Sequence, residues 1–204
     1  MRPSPAYSTI AALSWPILYG LYRLHARGRE KLPAEGGYVL ACNHVSSFDP
    51  WPLALPLWPR RQLRFMAKSE LYWFPLRLVV DAAGAFPVRR GQHDTEAIET
   101  AVRLAREGNV IGMFPEGTRR TKGLVKRFEA RPRTGAARIA LEAGVPLVPA
   151  AVRGTDKLLL LERLRVAYGP PVELDDLRGR EVGEAAQEAT ARLMARIGEL
   201  EAAL

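Results

Sequence analysis

The chain has a single cysteine, Cys42, so an internal disulfide is excluded. Cys42 sits inside an apolar run, which gives it the role of a small buried hydrophobe. A nucleophilic thiol beside the nearby His44 is the alternative. No zinc-ligand cluster, Walker loop or dinucleotide fingerprint is present, and neither is an internal repeat or a low-complexity segment. Charge is missing altogether from residues 3–22. Acidic residues are the minority elsewhere: 22 Asp+Glu face 30 Lys+Arg, for a net charge of +8. A balance that basic points to a polyanionic partner, whether nucleic acid, an anionic membrane surface or a phosphorylated small molecule.

With 48% hydrophobic and 25% charged residues, the composition is that of a globular protein. Its 204 residues suit one domain with a sizeable core, plus at most a small appendage. Along the uncharged stretch and just past it, Ile10, Leu13, Ile17, Leu21 and Leu24 form one stripe at helical spacing, and Trp15, Leu18 and Tyr22 form a second. Arg23, Arg27, Arg29 and Lys31 follow, a cluster that favours anionic lipid by roughly 1 kcal/mol per charge. The expectation is an N-terminal helix lying in or dipping into one leaflet, with Tyr7, Trp15, Tyr19 and Tyr22 suited to headgroup level. A helix packed on the core and a true span are the alternatives. A span needs about 20 apolar residues, and Ser8, Thr9, Ser14, Pro16 and Gly20 dilute this run.

Two further stretches carry chemistry. Tyr38-Val39-Leu40-Ala41-Cys42 reads as a buried strand that runs into Asn43-His44-Val45-Ser46-Ser47-Phe48-Asp49-Pro50. A turn after His44 folds the Asp49 carboxylate back onto the imidazole, fixing its tautomer. Pro50 is expected to hold Asp49 out of helical geometry. A structural His near a helix-capping Asp is the competing reading. Val110-Ile111-Gly112-Met113-Phe114 is a second buried strand, leading into Pro115-Glu116-Gly117-Thr118-Arg119-Arg120. In an open α/β sheet the C-terminal edge, where both deliver polar residues, is where ligands bind.

These two motifs resemble those of the glycerolipid acyltransferases, whose best-known members act on lysophosphatidic acid. Two weaker motifs are similar in the expected order: Gly84-Ala85-Phe86-Pro87-Val88-Arg89-Arg90, with Arg89 where the family often has Asp, and Val145-Pro146-Leu147-Val148-Pro149-Ala150. The match covers roughly residues 30 to 155. It implies His44, Asp49 and Glu116 as catalytic residues. It implies Asn43, Lys68, Arg89, Arg90, Gly117, Thr118 and Arg119 as substrate-binding, with Arg90, Arg119 and Lys68 near the acceptor phosphate. It also implies an acyl thioester donor, acyl-CoA or acyl-carrier protein, as co-substrate, with no further cofactor or metal. A lysophospholipid acceptor, an anionic membrane surface and a location on the cytoplasmic face of a membrane complete the expectation. An acyltransferase with another lysophospholipid or glycolipid acceptor is the near alternative. A non-enzymatic nucleic-acid-binding module is the distant one, and no nucleic-acid motif supports it.

The remaining pattern alternates strand and helix, giving an α/β fold: a mixed central sheet flanked by helices, with residues 1–30 as a membrane-associating helix and basic linker and 31–204 as the acyltransferase domain. Trp51 to Trp58 reads as a short irregular helix. Residues 120–134 read as a basic loop, including Lys122, Lys126, Arg127, Arg131 and Arg133. Val145 to Val152 reads as an edge or irregular strand, because of its two prolines. Residues 181–203 read as a C-terminal helix with no assigned chemistry.

Overall fold

The run Tyr38–Cys42 is buried along its whole length because helices cover both faces of the sheet it centres. The computed structural model describes residues 3–68, 73–74, 76–82, 84–88, 95–117, 121–122, 126–127 and 132–204. In chain order the elements are α1 (Pro5–Trp15), β1 (His25–Arg27), β2 (Tyr38–Cys42), α2 (Pro50–Ala54), β3 (Leu63–Lys68), α3 (Leu76–Ala82), β4 (Phe86–Val88), α4 (Thr95–Arg106), β5 (Val110–Met113), β6 (Thr121–Lys122), β7 (Lys126–Arg127), α5 (Gly135–Ala143), β8 (Leu147–Arg153), β9 (Arg165–Tyr168) and α6 (Val182–Ala202).

They build a single α/β domain around a mixed seven-stranded sheet, ordered β1-β9-β8-β2-β5-β3-β4. Every pairing is parallel except β8 with β9. The two-residue period of a strand sorts β2 between two cores. Val39 and Ala41 face α4, α5 and α6, while Tyr38, Leu40 and Cys42 face the N-terminal helix and the α2 region. Tyr168 of β9 closes the second core by donating its hydroxyl to Leu53 O at 2.7 Å, and burial pushes its phenol well above the ordinary pKa.

From β2 the chain moves outward to β3 and β4, returns to β5, then crosses β2 to reach β8. The reversal makes the C-terminal end of β2 the topological switch point, the usual ligand position in such sheets. Register fixes what meets there. Ala41 lies beside Met113 and Cys42 beside Ala150, so the segments after β2, β5 and β8 leave the sheet at one edge.

Three elements differ from the sequence expectation. β8 is an interior strand between β9 and β2 although Pro149 lies inside it. The Pro149 carbonyl accepts from Gly169 N on the β9 side, and the ladder with β9 begins only at Ala150, so the missing N–H falls where no rung is needed. His25–Arg27, expected as basic linker, is the edge strand β1 paired with β9. Within the expected loop 120–134, Thr121–Lys122 and Lys126–Arg127 form a short antiparallel ribbon.

The N-terminal helix starts at a Ser4 cap, whose hydroxyl accepts from Tyr7 N at 3.2 Å, with Pro5 at its first position. Pro16 lacks the N–H needed to continue the ladder, and Pro16–Leu21 widens into a π-helical turn. Tyr7, Ala11, Ser14 and Leu18 are buried, docking the helix on the domain. Leu13, Trp15, Ile17 and Leu21 stay exposed. Among the described residues, no helix is long and apolar enough to cross a membrane.

The entry to β2 depends on Gly37. A Cβ there would lie 2.0 Å from Ala105 O and 2.9 Å from Asn109 O, both backbone atoms that cannot swing away. Gly37→Ala should lower unfolding free energy by about 1–3 kcal/mol. Gly198→Ala, in open space on α6, should raise it by about 0.5–1 kcal/mol. Urea titration monitored by circular dichroism checks both signs.

Candidate active site

The site is built outward from Asp49, which is fully buried. Its Oδ2 accepts from Val45 N at 2.7 Å and Ser46 N at 2.9 Å. The same oxygen lies 2.7 Å from His44 Nδ1. An ionised carboxylate offers no proton, so Nδ1 carries the hydrogen and Nε2 is left as the basic nitrogen. Oδ1 accepts from the buried hydroxyl of Thr155. Asp49 itself has helical dihedrals, φ −51 and ψ −38, contrary to the bias expected from Pro50. Four donors fixed by the surrounding fold outweigh that local preference, which is weak by comparison. The carboxylate turns back to the amides after β2 and makes no cap bond to α2, so the capping reading does not describe this geometry.

The imidazole is held on one face as well. Phe114, just past β5, stacks on His44 with ring centroids 4.2 Å apart and an interplanar angle of 19°. Phe65 from β3 stacks in turn on Phe114 at 5.8 Å and 7°. Phe65 can lie there because Gly112 has no side chain; a Cβ at 112 would sit 2.4 Å from the Phe65 ring. Three adjacent strands thus contribute one ring each to a stack ending on His44.

Asn43, expected to contact substrate, is fully buried. Its amide donates to Val152 O at 3.0 Å and accepts from Val152 N at 2.8 Å. That pair of bonds clamps the end of β2 to β8 directly beneath His44. The Ser46 hydroxyl accepts from Phe48 N at 3.3 Å and shapes the turn.

Glu116 is buried at 3% exposure in the turn after β5. Gly117 adopts φ +68 and donates its N–H to Phe114 O at 3.0 Å. The left-handed dihedral needs glycine. The absent Cβ also makes room for the Arg133 side chain, whose Nε would lie 2.6 Å from it. Arg133 N donates to Pro115 O at 2.7 Å, so this exposed cation is anchored at the same edge. Lys68 closes β3, and its side chain is outside the described residues. So are Arg89, Arg90, Thr118 and Arg119, which follow in sequence from Val88 and Gly117. Among the described residues, no group of three His, Cys, Asp or Glu side chains is placed to hold a metal ion.

Two contributors escaped the sequence. Thr155 stands 106 positions from its partner Asp49. Its only local signal is Gly154, which ends β8 with φ +94 and turns the chain toward the site. Phe114 was visible as part of a motif, but its stacking on His44 depends on the β2–β5 register.

A family profile described as Acyltransferase matches residues 23–153. The 1-acyl-sn-glycerol-3-phosphate acyltransferase of Bacillus subtilis is 33% identical over 180 residues, covering 85% of this chain and 85% of that protein. The chloroplastic 1-acyl-sn-glycerol-3-phosphate acyltransferase BAT2 of Brassica napus is 28% identical over 146 residues, and the match spans 70% of this chain and 40% of that longer protein. The crystal structure of the 1-acyl-sn-glycerophosphate (LPA) acyltransferase PlsC from Thermotoga maritima superposes with a TM-score of 0.67 at 21% identity, over 95% of this chain and 78% of that one, a likeness of fold.

Thr155→Val keeps side-chain volume but strands a buried carboxylate oxygen. It should lower unfolding free energy by about 1–3 kcal/mol, while Thr155→Ser, which keeps the hydroxyl, should lose less than half of that. Denaturant titration of both variants checks the bond.

Proposed function

The chain belongs to the acyltransferase family, and from that premise we propose that it transfers a fatty acyl group from an acyl thioester to the free hydroxyl of lysophosphatidic acid, giving phosphatidic acid in phospholipid synthesis. The acceptor is inferred from the name of the Bacillus subtilis relative, which matches over most of both lengths. The single observation that supports the mechanism is the 2.7 Å pairing of His44 Nδ1 with the buried Asp49 carboxylate just past the C-terminal end of β2.

A thioester is already activated; what the reaction lacks is a nucleophile. His44 Nε2 takes the acceptor hydroxyl proton as the oxygen attacks the carbonyl carbon, a role worth roughly 10²–10⁴-fold. The new C–O bond leaves a tetrahedral oxyanion. Its collapse breaks the C–S bond, and the imidazolium returns the proton to the departing sulfur. Asp49 fixes the tautomer throughout and offsets the transient positive charge. Backbone N–H groups stabilise the oxyanion, each such donor being worth ~3 kcal/mol; the amides of Val45, Ser46 and Gly117, already bonded to Asp49 and to Phe114 O, are not among them.

Arg119 and Arg90 grip the acceptor phosphate, with Lys68 as a third cation, through charge-assisted hydrogen bonds of ~1.5–3 kcal/mol each. Glu116 orders Arg119, a loop amide or the acceptor's hydroxyl end. Acyl-CoA or acyl-carrier protein is the co-substrate, and no cofactor takes part. The exposed Leu13, Trp15, Ile17 and Leu21 of the N-terminal segment rest in one leaflet on the cytoplasmic face, with Arg23, Arg27, Arg29 and Lys31 at anionic headgroups.

His44→Ala should reduce turnover on lysophosphatidic acid by about 10²-fold or more with an unchanged melting temperature. Activity surviving at about a tenth of wild type would remove His44 as the base. Arg119→Ala should mainly raise the Michaelis constant for the acceptor; a fall in turnover alone would argue against phosphate binding there. Mass spectrometry of products from acyl-CoA and a mixture of lysolipids tests the acceptor.

A further inference from the structure

Beyond Thr155, the segment after β8 has no part in the acyl-transfer reading. Thr155–Leu160 forms a 3₁₀ turn. Leu158 packs on the core, and the next three leucines do not: Leu159 is 100%, Leu160 77% and Leu161 44% exposed. Single exposed leucines are ordinary, but three in a row at a protruding tip mark a contact surface. Leu161 also has φ +50, a left-handed conformation that bulky side chains avoid. Its neighbours hold it there: Leu161 N donates to Leu158 O at 3.0 Å, and Leu161 O accepts from the Arg23 guanidinium at 3.2 Å. Strain maintained in this way is characteristic of segments with a task.

The same bonds seat the tip beside the N-terminal helix. Leu164 N donates to Tyr22 O at 3.1 Å, and Arg163 Nε donates to Arg23 O at 3.3 Å. Leu21, two residues before Arg23, belongs to the exposed row with Leu13 and Ile17. Two apolar elements far apart in sequence therefore meet around Arg23 and Arg163. Charge along 153–165 is basic: Arg153, Lys157, Arg163 and Arg165 against Asp156 and Glu162. Glu162 is engaged by Lys157 at 3.0 Å.

We propose that Leu159–Leu161 is a second lipid-contacting element, which enters the apolar layer of an anionic bilayer next to the N-terminal helix while Arg23 and Arg163 meet the headgroup phosphates. A fully projecting apolar tip suits a fluid surface that closes around it, and the cationic collar suits negative lipid. The inference rests on the membrane part of the reading above and adds a contact from a segment far from the N-terminal helix in sequence.

Cys42 is the only cysteine and is fully buried, so a polarity-sensitive dye can be placed on Leu160→Cys in the full chain. With phosphatidylglycerol/phosphatidylcholine vesicles, the emission should shift to the blue and be quenched by acyl-chain bromolipids. The same dye on Gln187→Cys, exposed on α6, should not change. Leu159→Ser with Leu160→Ser should weaken vesicle flotation by at least about tenfold, with activity on detergent-dispersed acceptor unchanged. A protein that floats with vesicles while the dye stays unshifted, or a double variant that floats as well as wild type, overturns the proposal and leaves the helix reading standing. A protein that does not float overturns both. A blue shift on raising protein concentration without vesicles assigns the tip to self-association and also overturns it.

Discussion

A carboxylate sealed away from water is tolerated only when its lone pairs are filled, and in this protein that requirement organises the site. Asp49 takes hydrogen bonds from the amides of Val45 and Ser46, from the His44 ring and from the Thr155 hydroxyl. Each donor comes from a place the fold has already fixed: the turn after β2, or the end of β8. Removing any one leaves buried charge under-solvated, a far larger penalty than the net worth of an average hydrogen bond. The loop 43–49 is thereby held rigid without a helix or strand of its own.

The sheet supplies the convergence. Parallel β2, β5 and β8 end at one edge, and the crossover from β5 to β8 over β2 places the imidazole between the other two strand ends. Asn43 locks β2 to β8 on one side, and the stacked rings of Phe65 and Phe114 brace it on the other. Small residues make these approaches possible: Gly37 admits the end of α4, Gly112 admits Phe65, and Gly117 admits Arg133. Each is a contact between side chain or backbone and an empty Cβ position, and each lies within one residue shell of a strand that feeds the site.

Much of this was legible in sequence wherever the signal was local. The buried strand before His44 and the one before Glu116 show as continuous apolar runs, and parallel strands of that kind expose nothing to break the pattern. The C-terminal helix α6 was also legible, as residues 181–203. What could not be read depends on tertiary pairing. Pro149 argues against an interior strand until the ladder is seen to start one residue later. His25–Arg27 is too short and too polar to suggest a strand without β9 beside it. Asp49 adopts helical dihedrals against the pressure of Pro50 because four donors converge on its carboxylate, one of them from 106 positions away. Thr155 carries no signal beyond the neighbouring Gly154, since its role is defined by Asp49, 106 positions away.

The stacking of Phe114 on His44 carries a directional consequence. One face of the imidazole is roofed by the phenyl ring, Nδ1 is occupied, and the side chain retains only 18% exposure. Nε2 is the ring nitrogen that Asp49 does not engage. Under the proposed mechanism, an acceptor hydroxyl would meet it edge-on, in the plane of the ring, whatever the chain behind it. The aromatic stack would then set the direction of approach before any guest arrives.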